Sequence, residues 1–223
     1  MITQAVQDYL KAIYMLGRGA GPVSTSALAD RLGVSAASVT SMVKRLAETG
    51  FATHTPYQGV VLTEIGEKVA LEVIRHHRLL ELYLRRVLGY SLEEVHAEAE
   101  RLEHVISEEF EDRIDRALGH PTHDPHGDPI PTKAGEVPPH AWLSLAETEA
   151  GRRVVIRRIG DQDPDRIQYL RSLGLLPDVE VEVLEKAPFD GPLRLLVASD
   201  ELHVGIEVAR GVFVSPREAR DAT

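Results

Sequence analysis

Ser24-Thr25-Ser26-Ala27-Leu28-Ala29-Asp30-Arg31-Leu32-Gly33-Val34-Ser35-Ala36-Ala37-Ser38-Val39 is the stretch that decides the fold at the front of this chain. Ser24-Thr25-Ser26 offers an N-cap for a short helix ending at Leu32. Gly33-Val34-Ser35 is a tight turn, and Ser35 caps a second helix with Val39, Met42, Val43 and Leu46 on its apolar side. Gly50 ends that helix. Upstream, residues 4–16 place Val6, Leu10, Ile13, Tyr14 and Leu16 at helical spacing, and Gly17, Gly19, Gly21 and Pro22 break the pattern. Downstream, the β-prone runs Phe51–Thr55 and Val60–Thr63 flank Pro56-Tyr57-Gln58-Gly59, which reads as a hairpin. Helix, helix, turn, helix and hairpin make a winged helix-turn-helix. Ser35–Ser41 could also sit in a helical hairpin with no nucleic-acid role; the β-hairpin and the long helix that follow favour the DNA-binding reading.

A second stretch carries chemistry. His96-Ala97-Glu98-Ala99-Glu100-Arg101-Leu102-Glu103-His104 puts His96, Glu100, Glu103 and His104 at i, i+4, i+7 and i+8. On a helix these positions lie within roughly 100° of one another. Mixed nitrogen and oxygen donors suit a first-row divalent cation. The bland alternative is an exposed helix carrying an ordinary i,i+4 pair. The HExxH pattern of zinc proteases is missing, as are a Ser/His/Asp arrangement and a phosphate-binding glycine loop. A metal-dependent hydrolase is therefore the rival class, and it leaves the helix-turn-helix unexplained.

Composition narrows the field. No cysteine occurs, so disulfides, thiolate zinc sites and Cys nucleophiles are excluded. Met1-Ile2-Thr3-Gln4-Ala5 has no signal-peptide pattern, and no apolar run approaches the ~18 residues of a membrane span. A cytoplasmic location is expected. The net charge of −10 is unevenly spread: residues 1–75 hold seven Lys/Arg and six Asp/Glu, the remainder eighteen and twenty-nine. The front of the chain can approach a phosphate backbone that the rest avoids.

From Glu64 to about Leu88 runs an amphipathic connecting helix. Ser91 caps another, expected to continue to Leu118 with a break. On the connector His76 points about 100° away from its neighbour His77 and is expected to be solvated. Residues 119–140 hold six Pro and three Gly and form an irregular segment; its His120, His123, His126 and His140 could make an adventitious metal site. Beyond Leu145 the strand-like runs Arg153–Ile159, Val179–Lys186, Leu193–Ala198, Glu201–Val208 and Val212–Val214 surround a short helix at Pro164–Leu173 and suggest an SH3-like β-barrel. The fold class is mainly α with small β. The expected organisation is a winged helix-turn-helix over 1–72, a helical metal-binding and dimerisation domain over 73–140, a linker over 141–149 and an SH3-like, FeoA-like domain over 150–217.

Several motifs in order resemble the diphtheria toxin repressor and manganese transport regulator family of metal-dependent repressors, in its long form. They are Asp8-Tyr9-Leu10-x-x-Ile13-Tyr14, Val34-Ser35-x-x-Ser38-Val39, His77-Arg78-Leu79-x-Glu81, Val95-His96-x-Glu98-x-x-x-x-Glu103-His104 and Gly127-Asp128-Pro129-Ile130-Pro131. The resemblance implies a primary metal site of Asp8, Glu100, Glu103 and His104. It implies an ancillary site of His77, Glu81 and His96, completed from the C-terminal domain, where Asp161, Gln162 and Asp163 are the candidates. Two metal sites per subunit follow. In iron-responsive members sulfur ligands stand where Asp8 and Glu100 stand here, so oxygen donors favour Mn2+, with Fe2+ the alternative. The best-known manganese regulators carry an acidic ligand at the position of Lys11, which disfavours a two-metal cluster of their kind.

The implied protein is a homodimeric repressor of metal-uptake genes acting on double-stranded operator DNA, with no membrane and no small-molecule substrate as partner. In the recognition helix Ala37, Ser38 and Ser41 are placed to face bases. Ser35, Thr40 and Lys44, with Tyr57 and Gln58 at the hairpin tip, are placed to meet phosphates. The dimer surface is expected among Leu84, Val87, Leu88, Val105, Ile106, Phe110 and Ile114.

Overall fold

A computed structural model describes residues 2–17, 21–160 and 163–217. The chain divides into two compact units. The first comprises Met1–His77, Arg101–Glu111 and Pro131–Val137; the second comprises Arg78–Glu100, Asp112–Ile130 and Pro138–Thr223.

In the first unit α1 (Gln4–Gly17), α2 (Thr25–Leu32) and α3 (Ala36–Glu48) precede the antiparallel hairpin β1 (Ala52–Thr55) and β2 (Gly59–Leu62). The caps form as their chemistry requires. Ser24 Oγ accepts from the Ala27 N–H at 3.1 Å and Ser35 Oγ accepts from the Ser38 N–H at 3.2 Å, each stabilising its helix by about 1 kcal/mol. Gly33 adopts φ +63° to close α2, a conformation that only glycine takes without strain. Leu10, Ile13, Leu28, Val39, Val43, Leu46 and Val60 fill one core. This is a winged helix-turn-helix.

Helix α4 spans Glu64–Arg86. Its start lies against the hairpin so closely that a Cβ on Gly66 would stand 2.0 Å from the Phe51 carbonyl oxygen. Every residue from Val73 to Leu82 is buried, so this stretch is enclosed on all sides, unlike an amphipathic connector. The expectation of a solvated His76 fails for that reason: it is 7% exposed. Helices α5 (Val95–Leu102) and α6 (Glu108–Ala117) follow. The break between them falls inside the His/Glu stripe, so Glu103 and His104 stand in the turn after α5 rather than on its face. Ser107 starts α6, its Oγ accepting from the Phe110 N–H at 3.3 Å.

The C-terminal part of the second unit is a six-stranded antiparallel sheet in the order β3-β8-β4-β5-β6-β7. Its members are β3 (Leu143–Ser144), β4 (Arg153–Ile159), β5 (Glu180–Lys186), β6 (Leu193–Val197), β7 (Asp200–Val204) and β8 (Val212–Pro216), with α7 (Pro164–Ser172) and α8 (Ile206–Arg210) between them. Residues 141–149, read as a linker, supply β3 and the fully buried Leu145. The strand expected over 201–208 ends at Val204: Gly205 adopts an extended conformation at the N-cap of α8. A bulge in β4 between Ile156 and Arg158 shifts the alternation, so Ile159 faces the core with Val154 and Ile156. Leu92, from the segment before α5, joins that core. Gly127 at φ +90° brings the Pro-rich segment onto β4, where a Cβ would stand 1.9 Å from the Arg157 carbonyl oxygen, and the Ile159 N–H donates to His126 O at 2.9 Å.

Candidate metal centre

The site in the first unit grows from the polar face of α1. Val6, Leu10 and Ile13 enter the core, which leaves Gln7, Asp8 and Lys11 on another face. His104 Nε2 lies 2.8 Å from Asp8 Oδ1 and 3.3 Å from Glu103 Oε1. His104 Nδ1 lies 2.9 Å from Gln7 Oε1. Because Gln7 Oε1 can only accept, a proton sits on Nδ1, and Nε2 faces two carboxylate oxygens. Nε2 is buried and makes no hydrogen bond. Beside the Lys11 ammonium, the ligand atoms of Asp8, Glu103 and His104 all lie within 4.8 Å of one another. The residues fit a divalent ion. Gln7 escaped the sequence reading; it orients His104 as outer partners orient metal-binding imidazoles.

Glu103 is the hub. Its side chain is fully enclosed. Lys11 Nζ donates to its two oxygens at 2.9 and 2.8 Å, and His77 Nδ1 stands 2.5 Å from Oε2. The Glu103 carbonyl lies 3.1 Å from His76 Nδ1. His77 thus engages the same carboxylate as Lys11, while Glu100 lies 3.9 Å from His96 Nε2, one turn earlier on α5.

A second constellation lies wholly in the second unit. Glu81 places Oε1 3.2 Å from His96 Nδ1 and Oε2 3.6 Å from His126 Nδ1. His126 Nε2 lies 3.1 Å from the Leu92 carbonyl. Asp124 Oδ1 accepts from the His126 and Asp128 N–H groups at 2.8 and 2.9 Å. Ligand atoms of Glu81, Asp124 and His126 lie within 4.8 Å of one another, and all three residues are buried. Burial alone would lower the His126 pKa; its hydrogen bond to Glu81 and the charges of Glu81 and Asp124 outweigh burial and push it up to about 9. Burial, then the charges of Glu81 and Asp128, push the Asp124 carboxyl up to about 8. The sequence signal for Asp124 and His126 was their place in the run Asp124-Pro125-His126-Gly127-Asp128-Pro129. Of the C-terminal candidates, Asp161 and Gln162 lie outside the described residues. Asp163 caps α7, its Oδ1 accepting from the Asp165 N–H at 3.0 Å.

Ser35, Ala37, Ser38, Thr40, Ser41 and Lys44 form the exposed face of α3, opposite Val39, Val43 and Leu46. Tyr57 and Gln58 are exposed at the hairpin tip, Tyr57 at φ +64°. No helix is long and apolar enough to cross a membrane among the described residues.

Comparison with known proteins supplies the lineage. Residues 1–60 match the iron dependent repressor N-terminal DNA binding domain, residues 63–132 the iron dependent repressor metal binding and dimerisation domain, and residues 143–216 the FeoA domain. The iron-dependent repressor IdeR of Mycobacterium tuberculosis is 34% identical over 96% of this chain and 97% of its own length. The transcriptional regulator MntR of Bacillus velezensis is 36% identical over 51% of this chain and 80% of its own. A solved manganese-dependent transcriptional repressor in complex with manganese is 39% identical, with a TM-score of 0.88 over 95% of this chain and 99% of that one. The chain belongs to the iron-dependent repressor family, whose members are metal-dependent, DNA-binding transcriptional repressors rather than enzymes.

Proposed function

We propose that this chain is a manganese-responsive repressor of metal-uptake genes that binds operator DNA as a homodimer in the cytoplasm. One observation carries the choice of metal: the donors gathered at His104 are carboxylate oxygens and an imidazole, with no sulfur, and the chain has no cysteine. Hard oxygen donors suit manganese(II) better than softer ions. The 39% identity to a manganese-bound repressor supports the same reading, while the likeness to iron-dependent repressors keeps iron(II) as the second reading.

In this reading residues 1–72 are the reading head, 73–140 bind metal and dimerise, and 150–217 form the FeoA-like module after a 141–149 connection. A bound divalent ion supplies positive charge that carboxylates and a neutral imidazole share. Asp8 belongs to α1, and Glu103 and His104 to the turn after α5, so these residues tie the reading head to the helical part. Glu100 belongs to the same primary set by resemblance. A second site per subunit is built on Glu81 with Asp124 and His126, to which the resemblance adds His77, His96 and, from the C-terminal domain, Asp161 or Asp163. Val87, Leu88, Val105 and Phe110 are exposed apolar residues available to a dimer contact, whereas Leu84 and Ile114 are core. A two-fold dimer reads two half-sites when its recognition helices stand about 34 Å apart. An ion at ~1,000 times its dissociation constant can favour that state by about 4 kcal/mol.

The test is operator binding titrated in parallel with manganese, iron, cobalt and zinc, using wild type, Asp8→Ala and Glu100→Ala. Activation by manganese at the lowest free concentration, lost in Asp8→Ala, is the expected result. Operator binding that survives exhaustive chelation overturns the proposal.

A further inference from the structure

A third group of ligand-type side chains lies outside both constellations. Glu72 and His76 stand one turn apart on α4, and Glu108 opens α6; all belong to the first unit. A ring nitrogen of His76 and carboxylate oxygens of Glu72 and Glu108 lie within 4.8 Å of one another. Glu72 and Glu108 border a cleft of about 320 Å³ that Lys68, Arg75 and Glu111 also line.

His76 is the independent pointer to a ligand. Its side chain is 8% exposed. Its Nδ1 faces the Glu103 carbonyl at 3.1 Å, and a carbonyl can only accept, so the proton belongs on Nδ1. In the neutral ring the lone pair then lies on Nε2, which is buried and has no partner in good hydrogen-bond geometry. Glu111 Oε2 lies 3.3 Å from it; burial alone would lower the His76 pKa, and this carboxylate holds it above its ordinary value. Arg75 holds the other Glu111 oxygen through Nε at 2.5 Å and is itself anchored on the Pro131 carbonyl at 2.8 Å. Glu111 is therefore fixed with one oxygen turned to His76. An imidazole whose far nitrogen donates to a backbone carbonyl, with its near nitrogen facing a carboxylate, has the arrangement of a metal-binding histidine.

We propose that His76 Nε2, Glu72, Glu108 and Glu111 form a further divalent-cation site, distinct from the one at Asp8 and His104. One nitrogen and up to three oxygens suit a first-row divalent ion, with water filling the open side toward the cleft. The site adjoins the primary one through a single residue: His76 donates to the carbonyl of Glu103, whose carboxylate serves Asp8 and His104.

The test uses full-length protein carrying Asp8→Ala, so that it is independent of the primary site. Manganese(II) is titrated while free ion is followed by electron paramagnetic resonance, with and without Glu72→Gln and Glu108→Gln. Both glutamates are exposed, so the exchange leaves the core intact, which a melting curve verifies. The expected result is the loss of one bound ion per subunit in the double variant. In Asp8→Ala protein, substoichiometric manganese is expected to broaden the His76 imidazole resonances, and the Glu72→Gln and Glu108→Gln exchanges are expected to remove that broadening. An unchanged ion count, or a His76 signal that stays sharp while ions bind, shows a simple His76–Glu111 charge pair and overturns the proposal.

Discussion

Lys11 Nζ holds both carboxylate oxygens of Glu103, at 2.9 and 2.8 Å, in a pocket where the Glu103 side chain has no exposure and that of Lys11 is 12% exposed. In the manganese regulators that the sequence resembles, an acidic group stands at this position. Here the ammonium neutralises the carboxylate that the metal site also uses. Replacing Lys11 with Met leaves the buried Glu103 carboxylate with only the His77 and His104 rings beside it, so the loss should approach the ~3–5 kcal/mol typical of breaking a buried pair. The metal-free Lys11→Met protein should melt well below wild type, manganese should restore most of the loss, and its manganese affinity should rise at least tenfold. Calorimetric melting with and without manganese checks this; an unchanged metal-free melting temperature refutes it.

Gln7 acts through His104. Its Oε1 fixes the imidazole with the proton on Nδ1, and outer partners of this kind are worth about 10–100-fold in metal affinity. Gln7→Ala should raise the manganese needed for half-maximal operator binding by that factor. At saturating manganese, operator affinity should return to the wild-type value. Failure to recover would place Gln7 in the DNA contact instead.

The winged helix-turn-helix was legible because its signals are local: Ser24 and Ser35 cap the helices they announce, and Gly33 takes the left-handed turn between them. The geometry of the candidate metal centre was legible in part. Asp8, Glu103 and His104 do converge, yet helical periodicity was the wrong argument for the last two, which stand beyond the end of α5. Gln7 and Asp124 were missed, and His126 was read only as part of an adventitious histidine cluster, because their roles depend on partners distant in sequence. His76 was misjudged because periodicity along α4 cannot reveal packing on every side of the helix. The strand expected through Val208 stops at Gly205 because the apolar run Val204–Val208 fits a helical turn as well as a strand.

Deprotonation should loosen the second constellation. The His126 pKa rises to about 9 in the folded chain, against about 6.5 unfolded. Its contribution is therefore fully present below pH ~6.5 and lost as pH climbs through ~9, on the order of 3 kcal/mol in all. The Asp124 carboxyl, pushed up to about 8, acts in the same direction, because the folded state keeps a proton that the unfolded state releases near pH 4. Metal-free protein should lose stability steadily between pH 6.5 and 9 in urea unfolding, and His126→Gln should flatten the trend. A stability that rises over this range contradicts the assignment.

Lys44 separates positioning from reading on α3. Its side chain is 78% exposed and stands 3.8 Å from the also exposed Glu48, so it is loosely held and available to a phosphate. Neutralising one phosphate lowers the slope of log affinity against log salt by about one. Lys44→Ala should weaken every operator variant to a similar degree and reduce that slope by about one. Ser38→Ala, on the face assigned to the bases, should instead change preference at one position, because a lost base-edge contact costs about 1–3 kcal/mol only against the base it reads. Measuring both variants against a panel of single-base operator changes at two salt concentrations separates the roles. A base-specific defect in Lys44→Ala would reverse the two assignments and turn α3 about its axis relative to the groove.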